Sequence, residues 1–296
     1  MCSRTSLPSL ASASMAPVAL PTFLSRRREN MNSIIMLNSV WRYRGFIGGS
    51  VQREFQAKYR SSMLGAVWTV LNPLAMILVY TVIFSQVMGN RLGGNTSAFG
   101  YSIYLCAGML TWGLFAEITV RAQSVFLEHA NLIKKLQFPR ICLPIITVLN
   151  ACINFGIVFG LFTVFLVVSG NFPGWIYLAL LPVLVIQILL AIGLGMILGV
   201  LNVFFRDVAQ FFAIALQFWF WFTPVVYPAT ALPAAVRTWL AYNPMATLVT
   251  AYQTILVDAR MPDWISLVPV IVVALAFCVL GIQLFRKRSG EMVDEL

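Results

Sequence analysis

Charge is scarce in this chain, and that scarcity decides much of the reading. Of 296 residues only 10% are Asp, Glu, Lys or Arg, against about 25% in an ordinary globular domain. Acidic residues number ten, and His129 is the sole histidine. Enzymes draw their acids, bases and nucleophiles from such groups. No GxSxG, HExxH or paired-carboxylate pattern organises them here. The GxxxxGK[ST] phosphate loop is also missing, so energy for any transport has to come from a separate subunit. Five cysteines (Cys2, Cys106, Cys142, Cys152, Cys278) lack CxxC spacing, and four lie in or beside apolar runs. They read as small hydrophobes in packed helices, and indicate neither a disulfide framework nor a metal site.

What is present is apolar. Hydrophobic residues make up 60% of the chain, and a bilayer core needs about 20 of them in one helix. Six runs qualify: 67–88, 101–120, 141–168, 176–205, 208–227 and 265–285. The third and fourth exceed the need, so they tilt, bend or project. Arg206-Asp207 separates the fourth from the fifth and marks a tight turn at a membrane surface. Pro73, Pro144, Pro182, Pro224 and Pro269 fall in or near the spans, where freed backbone groups need partners inside the protein.

The net charge of +10 is a statement about topology. Of the 20 basic residues, 17 precede the first span, lie in two of the loops, or follow the last span. Only Arg91, Arg237 and Arg260 lie in the segments on the other side. That asymmetry places both termini in the cytoplasm and sets the cations against anionic headgroups. It leaves no role for nucleic acid.

Residues 1–30 are rich in Ser, Ala and Pro. They read as a disordered extension, or as a stretch upstream of a start at Met31. In 31–66, Val51, Phe55, Tyr59 and Met63 recur every four residues and form one helical stripe. Arg53, Glu54, Lys58 and Arg60 fall largely elsewhere on that helix, as expected of an amphipathic segment in the membrane interface. The alternative is a soluble helix packed on the protein. The connector 124–137 is helical in character, with Val125, Leu132 and Leu136 on one face. It serves either as a dock for a soluble partner or as a solvated linker. Residues 234–241 and 245–256 read as two short apolar helices about Tyr242-Asn243-Pro244, a hairpin re-entering the outer leaflet. Residues 67–288 then form a six-span transmembrane domain and 289–296 a cytoplasmic tail.

Intramembrane acids reduce to Glu117, which Arg121 follows by four residues; an intrahelical ion pair is the simplest account. Gly156/Gly160 and Ala191/Gly195/Gly199 space small residues for close helix contact. Aromatics crowd the fifth span, Phe218, Trp219, Trp221, Phe222 and Tyr227 among them. Lipid contact and core packing account for aromatics in such places. A passage whose flat faces let a sugar polymer slide would also use them.

Several motifs together resemble one family. Tyr59-Arg60-Ser61-Ser62-Met63-Leu64-Gly65-Ala66-Val67-Trp68, with Leu71-Asn72-Pro73-Leu74, is similar to the start of the first span in ABC-2-type polysaccharide export permeases. Asn131-Leu132-Ile133-Lys134-Lys135 with Phe138-Pro139-Arg140 resembles their coupling segment. Asn202-Val203-Phe204-Phe205-Arg206-Asp207-Val208, Thr223-Pro224-Val225-Val226-Tyr227-Pro228 and Asn243-Pro244-Met245 follow in order. With Trp41-Arg42-Tyr43-Arg44-Gly45-Phe46 at its start, the set is most similar to the Wzm-type O-antigen permeases.

The resemblance implies an all-α integral membrane protein of the ABC-2 permease fold. It would have six transmembrane helices, an N-terminal interface helix, a cytoplasmic coupling helix and a re-entrant outer hairpin. Two copies would pair with two ATPase subunits that hold the ATP and Mg; the chain itself holds no cofactor. The cargo would be an undecaprenyl-pyrophosphate-linked polysaccharide. Glu128, His129, Asn131, Leu132, Ile133 and Lys134 would couple to the ATPase. Arg53, Lys58 and Arg60 are the candidates for the lipid pyrophosphate. Phe218, Trp219, Trp221, Phe222, Tyr227 and Tyr242 are the candidates for the sugar path. Capsule, teichoic-acid or small-amphiphile export are alternatives on the same scaffold. A membrane-bound transferase acting on lipid-linked sugar, or a membrane scaffold, would be different classes of protein.

Overall fold

The structure, a computed structural model, describes residues 41–59, 67–79, 82, 99–135, 140–229 and 232–296. The expectations for residues 1–40, for Arg60 and the motif that follows it, and for Leu136 lie outside these residues. Every regular element among the described residues is helical. In chain order they are α1 (Arg44–Tyr59), α2 (Val67–Val79), α3 (Gly100–Glu128), α4 (Ala130–Lys135) and α5 (Cys142–Val168). After a 3-10 turn, Gly174–Ala179, come α6 (Leu180–Phe204), α7 (Asp207–Trp221), α8 (Ala234–Leu240), α9 (Pro244–Val257), α10 (Trp264–Arg288) and α11 (Glu291–Glu295).

Four stretches are long and apolar enough to cross a membrane: Gly100–Glu128, Cys142–Val168, Gly174–Phe204 and Trp264–Arg288. They match the second, third, fourth and sixth apolar runs. The first run is described as helix over Val67–Val79. The fifth departs from expectation. Its helix stops at Trp221, and Phe222–Tyr227 leaves helical geometry. Pro224 accounts for the stop, because its ring disfavours helix for the residue before it and its nitrogen has no proton to donate.

The ends of the long helices follow from sequence. At the close of α5, Gly170 adopts φ 73°, and the amides of Gly170 and Asn171 bond back to Val167 and Leu166 at 3.2 and 3.0 Å. This is a Schellman closure that a side chain at position 170 would strain. Asn243 caps α9, its Oδ1 accepting from the amides of Met245 and Ala246 at 3.0 and 3.4 Å, with Pro244 in the first turn. Asp263 caps α10, accepting from the Ile265 amide at 3.0 Å.

Helix α6 stands at the centre, with α10 and α3 packed along it. The approach is close enough to require glycine. A Cβ on Gly199 would lie 2.5 Å from the Ala122 carbonyl, and one on Gly195 would lie 2.6 Å from Ala122 Cβ. Gly193 meets Cys278 of α10 in the same way, at 2.7 Å. The small-residue spacing on α6 therefore does what was expected of it. The pair on α5 does not: a Cβ on Gly156 or Gly160 meets nothing within 4 Å. The core runs the length of this assembly, and α9 lies inside it, with Leu248, Val249, Tyr252 and Ile255 fully enclosed.

Candidate functional site

Two regions concentrate polar chemistry, one near each end of α3. At the end where α3 finishes, Arg121 reaches across to α1. Its Nη2 donates to Glu54 Oε2 at 2.7 Å, while Nη1 lies 3.5 Å from Glu117 Oε1. Helix α5 supplies the remaining donors. Asn150 Nδ2 donates to Glu54 Oε2 at 2.6 Å, and Asn154 Nδ2 donates to Glu117 Oε1 at 2.7 Å. The expected intrahelical pair exists, but it is the looser half of a bridge joining three helices. Glu54 is the acid missed from sequence, although it is the only acid in 31–66. Asn150 and Asn154, one turn apart in an apolar span, were the other available sign. All three charged side chains keep about a third of their surface exposed.

Beyond Arg121, α3 runs without a break to Glu128. His129 interrupts it. The His129 amide bonds to the Val125 carbonyl at 3.2 Å, and the His129 carbonyl accepts from the amides of Leu132 and Ile133 at 2.9 and 3.0 Å. The helical connector expected over 124–137 is thus divided, the end of α3 and a separate short α4 meeting at His129. Its sides also differ from expectation. Val125 is buried and Leu132 exposed, so they do not share a face. Ile133 is the anchor, 6% exposed beside Val125, Leu143 and Phe285. Glu128, Asn131, Leu132 and Lys134 lie on the surface. Arg140 donates to the Ser289 carbonyl, tying the connector to the C-terminal segment. Burial there draws its pKa below the usual arginine value. On α1, Arg53 is exposed and donates to Ser50 Oγ at 2.9 Å. Lys58 lies in the last turn of α1.

At the start of α3 the chemistry is neutral. The non-helical segment Phe222–Tyr227 carries carbonyls that α7 no longer satisfies, and side chains of α3 and α9 take them up. Tyr101 OH donates to the Val226 carbonyl at 2.7 Å. Tyr104 OH reaches the Tyr227 and Pro224 carbonyls at 3.0 and 3.3 Å. Gln253 Nε2 donates to Pro224 at 3.3 Å. Asn243 is the hub: beyond capping α9, its Oδ1 accepts from Trp219 Nε1 at 2.8 Å, and its Nδ2 donates to Thr223 Oγ1 and the Phe222 carbonyl at 3.1 and 3.2 Å.

The aromatics of the fifth span divide in two. Trp219 packs edge-on against Phe115 and Trp112, with centroids at 5.2 and 6.3 Å, so it turns toward the protomer's core and is half-buried there. Phe218, Trp221 and Phe222 face outward, each at least 60% exposed. Tyr227 OH donates to the Trp221 carbonyl at 2.6 Å. Tyr242, 80% exposed, lies beside Trp239.

The family profile described as ABC-2 type transporter matches residues 47–257, from α1 through the end of α9. The chain belongs to the ABC-2 type transporter family. An ABC-2 transporter is an ABC transporter, whose ATP-hydrolysing component is a partner of the membrane chain. This ABC-2 chain is 32% identical over 266 residues to the O-antigen export system permease protein RfbA of Myxococcus xanthus, covering 89% of this chain and 100% of that one. The RfbA protein of Klebsiella pneumoniae is 28% identical over 246 residues, 82% of this chain and 92% of the relative. The polysialic acid transport protein KpsM of Escherichia coli is 21% identical over 242 residues, 81% and 92% respectively. This ABC-2 chain is therefore a multi-pass membrane transporter component. Its Glu54–Arg121–Glu117 bridge and its Asn243 hub both lie within the matched region.

Proposed function

We propose that this chain is the membrane-spanning half of an exporter that moves a lipid-linked polysaccharide, an O-antigen in the first instance, out of the bacterial cytoplasm. The observation that carries the reading is the full-length similarity to O-antigen export permeases. Two copies assemble with two ATPase subunits. The chain crosses the inner membrane six times, both termini are cytoplasmic, and α8 with α9 forms a hairpin re-entering from the outside. The concentration of cations near Glu128 supports that orientation. The deep burial of α9 supports the re-entrant hairpin, because irregular backbone at membrane depth needs enclosure by protein. The segment 67–288 works as the permease domain, 31–66 as the interface region and 289–296 as a tail; 1–30 is an extension outside the working fold.

In this reading Glu128, Asn131, Leu132 and Lys134 meet the ATPase, His129 sets the angle of α4, and Ile133 fastens α4 to the permease. ATP closes the partner, which moves α4 and the helix it hangs from. Arg53, Lys58 and Arg60 attract the pyrophosphate at headgroup depth. Phe218, Trp221, Phe222, Tyr227 and Tyr242 offer flat faces to the sugar chain. Trp219, packed inward, positions Asn243 and the neighbouring backbone. Among the alternatives, the similarity to the polysialic acid transport protein KpsM favours another polysaccharide over a small amphiphile as the second substrate class. The deciding experiment reconstitutes the permease with its ATPase and measures hydrolysis with undecaprenyl-pyrophosphate-linked O-antigen, with capsule glycan, and with neither. Stimulation by lipid-linked O-antigen is expected. Equal hydrolysis in all three conditions, with no glycan translocated, rejects the reading.

A further inference from the structure

Between α2, α3 and α5 lies a cavity of about 240 Å³ that the transport reading does not use. Ile77, Met109, Leu114, Phe155 and Val158 give it an apolar wall. On α3 the lining runs from Cys106 to Glu117, which is a length of about 16 Å at the rise of a helix. That is the shape of one extended hydrocarbon chain. One end is polar: Glu117 and Asn154 line the cavity, and through them it adjoins Arg121, Glu54 and Asn150.

The charges at that end select among lipids. Two carboxylates face one guanidinium, so this group carries a net negative charge with a single cation in it. A headgroup bearing only phosphate meets two carboxylates for each arginine. A headgroup with both a phosphate and a primary ammonium matches each sign present. An ammonium can also donate hydrogen bonds to a carboxylate, which a trimethylated nitrogen cannot.

We infer that this cavity is a binding site for phosphatidylethanolamine, one acyl chain filling the groove and the headgroup lying against Glu117 and Arg121. The site is distinct from the cargo path, since the pyrophosphate of a lipid-linked glycan has no ammonium to offer the carboxylates. The placement of the headgroup in the inner leaflet rests on the orientation given above. The lipid holds α2 against α3 and α5 at the point where the ionic bridge ties in α1.

Gly113 makes the inference testable. It lines the cavity, and a Cβ there meets nothing within 4 Å, so Gly113→Leu puts a side chain into the groove without a clash at its Cβ. Glu117→Gln keeps the shape and removes a charge. The assembled permease–ATPase complex is incubated with equal amounts of phosphatidylethanolamine, phosphatidylglycerol and phosphatidylcholine, and retained lipid is read by native mass spectrometry. Wild type is expected to keep phosphatidylethanolamine. Gly113→Leu should lose it, and Glu117→Gln should lower the preference over phosphatidylcholine about tenfold, the worth of a hydrogen bond to a charged group. Equal retention of all three lipids by wild type overturns the inference. So does unchanged retention in Gly113→Leu, or separation of the protomers by that variant, which would mean that a second copy fills the groove. The readout needs no transport. Lost export with retained lipid strikes only the function, and lost lipid preference with intact export strikes only this site.

Discussion

The two ends of α3 hold their neighbours by opposite means. At one end, about 30 Å from Arg121 along the helix, Tyr101 and Tyr104 secure an irregular backbone segment with neutral, enclosed hydrogen bonds. At the other, Arg121 secures α1 through ion pairs that remain partly exposed. Neutral bonds in an enclosed setting are insensitive to salt, and breaking them strands a polar group. Exposed ion pairs are weak, screened by salt and readily exchanged. The first arrangement suits a part that must stay closed until forced, the second a part that re-forms often.

Five substitutions would break or sharpen that contrast. The largest effect belongs to the interior of the neutral end. Trp219→Ala is expected to cost about 3 kcal/mol, the low end for a large aromatic because Trp219 is only half-buried against the core, whereas Trp221→Ala should leave the melting temperature of the purified complex nearly unchanged and reduce export. Equal melting losses in both variants would place the two tryptophans in the same environment and undo the division made here. Next comes Asn243→Ala, which removes a helix cap and three further hydrogen bonds; a loss of about 2 kcal/mol is expected by the same measurement.

At the ionic end, Glu54→Gln should lower stability by less than about 1 kcal/mol, since its partners are partly exposed. Its mark should appear in function: ATP hydrolysis by the complex persists while glycan export per ATP falls. The difference in melting temperature between wild type and Glu54→Gln should also shrink in high salt. A difference that survives high salt would mean the bridge is not ionic in character. The smallest effect is expected at Ala259, which adopts φ 49° between α9 and α10. Ala259→Gly relieves a left-handed alanine and should raise stability by about 0.5 kcal/mol, with no change in export.

The ionic end was half legible in sequence. Glu117 and Arg121 stand four apart and announce their pairing, because helical spacing is local. Their link to Glu54 joins residues 67 positions apart, and no local pattern encodes which polar side chain of α1 meets a partner on another helix. Glu54 read as one more polar residue on the outer side of α1. At the neutral end, Thr223-Pro224 pointed to trouble for a helix, yet the apolar run continued to Tyr227 and a full span was expected. Hydropathy reports what the bilayer tolerates, and is blind to a chain that leaves helical geometry while staying inside protein. The short helices about Asn243 were legible because proline and asparagine act on their own immediate neighbours. The inward packing of Trp219 beside outward Trp221 was not, since neighbouring aromatics in a helix carry no mark of which one faces the core.

Helix α3 has one further consequence. It is a single rod of 29 residues with no proline and no helical break before His129. The hydroxyls of Thr111 and Thr119 turn back onto its own carbonyls and leave the backbone ladder intact. Such a rod has no hinge in which to absorb a shove. An axial displacement at Glu128 would therefore be carried along the helix to Tyr101 and Tyr104, so that the two ends of α3 move as one body.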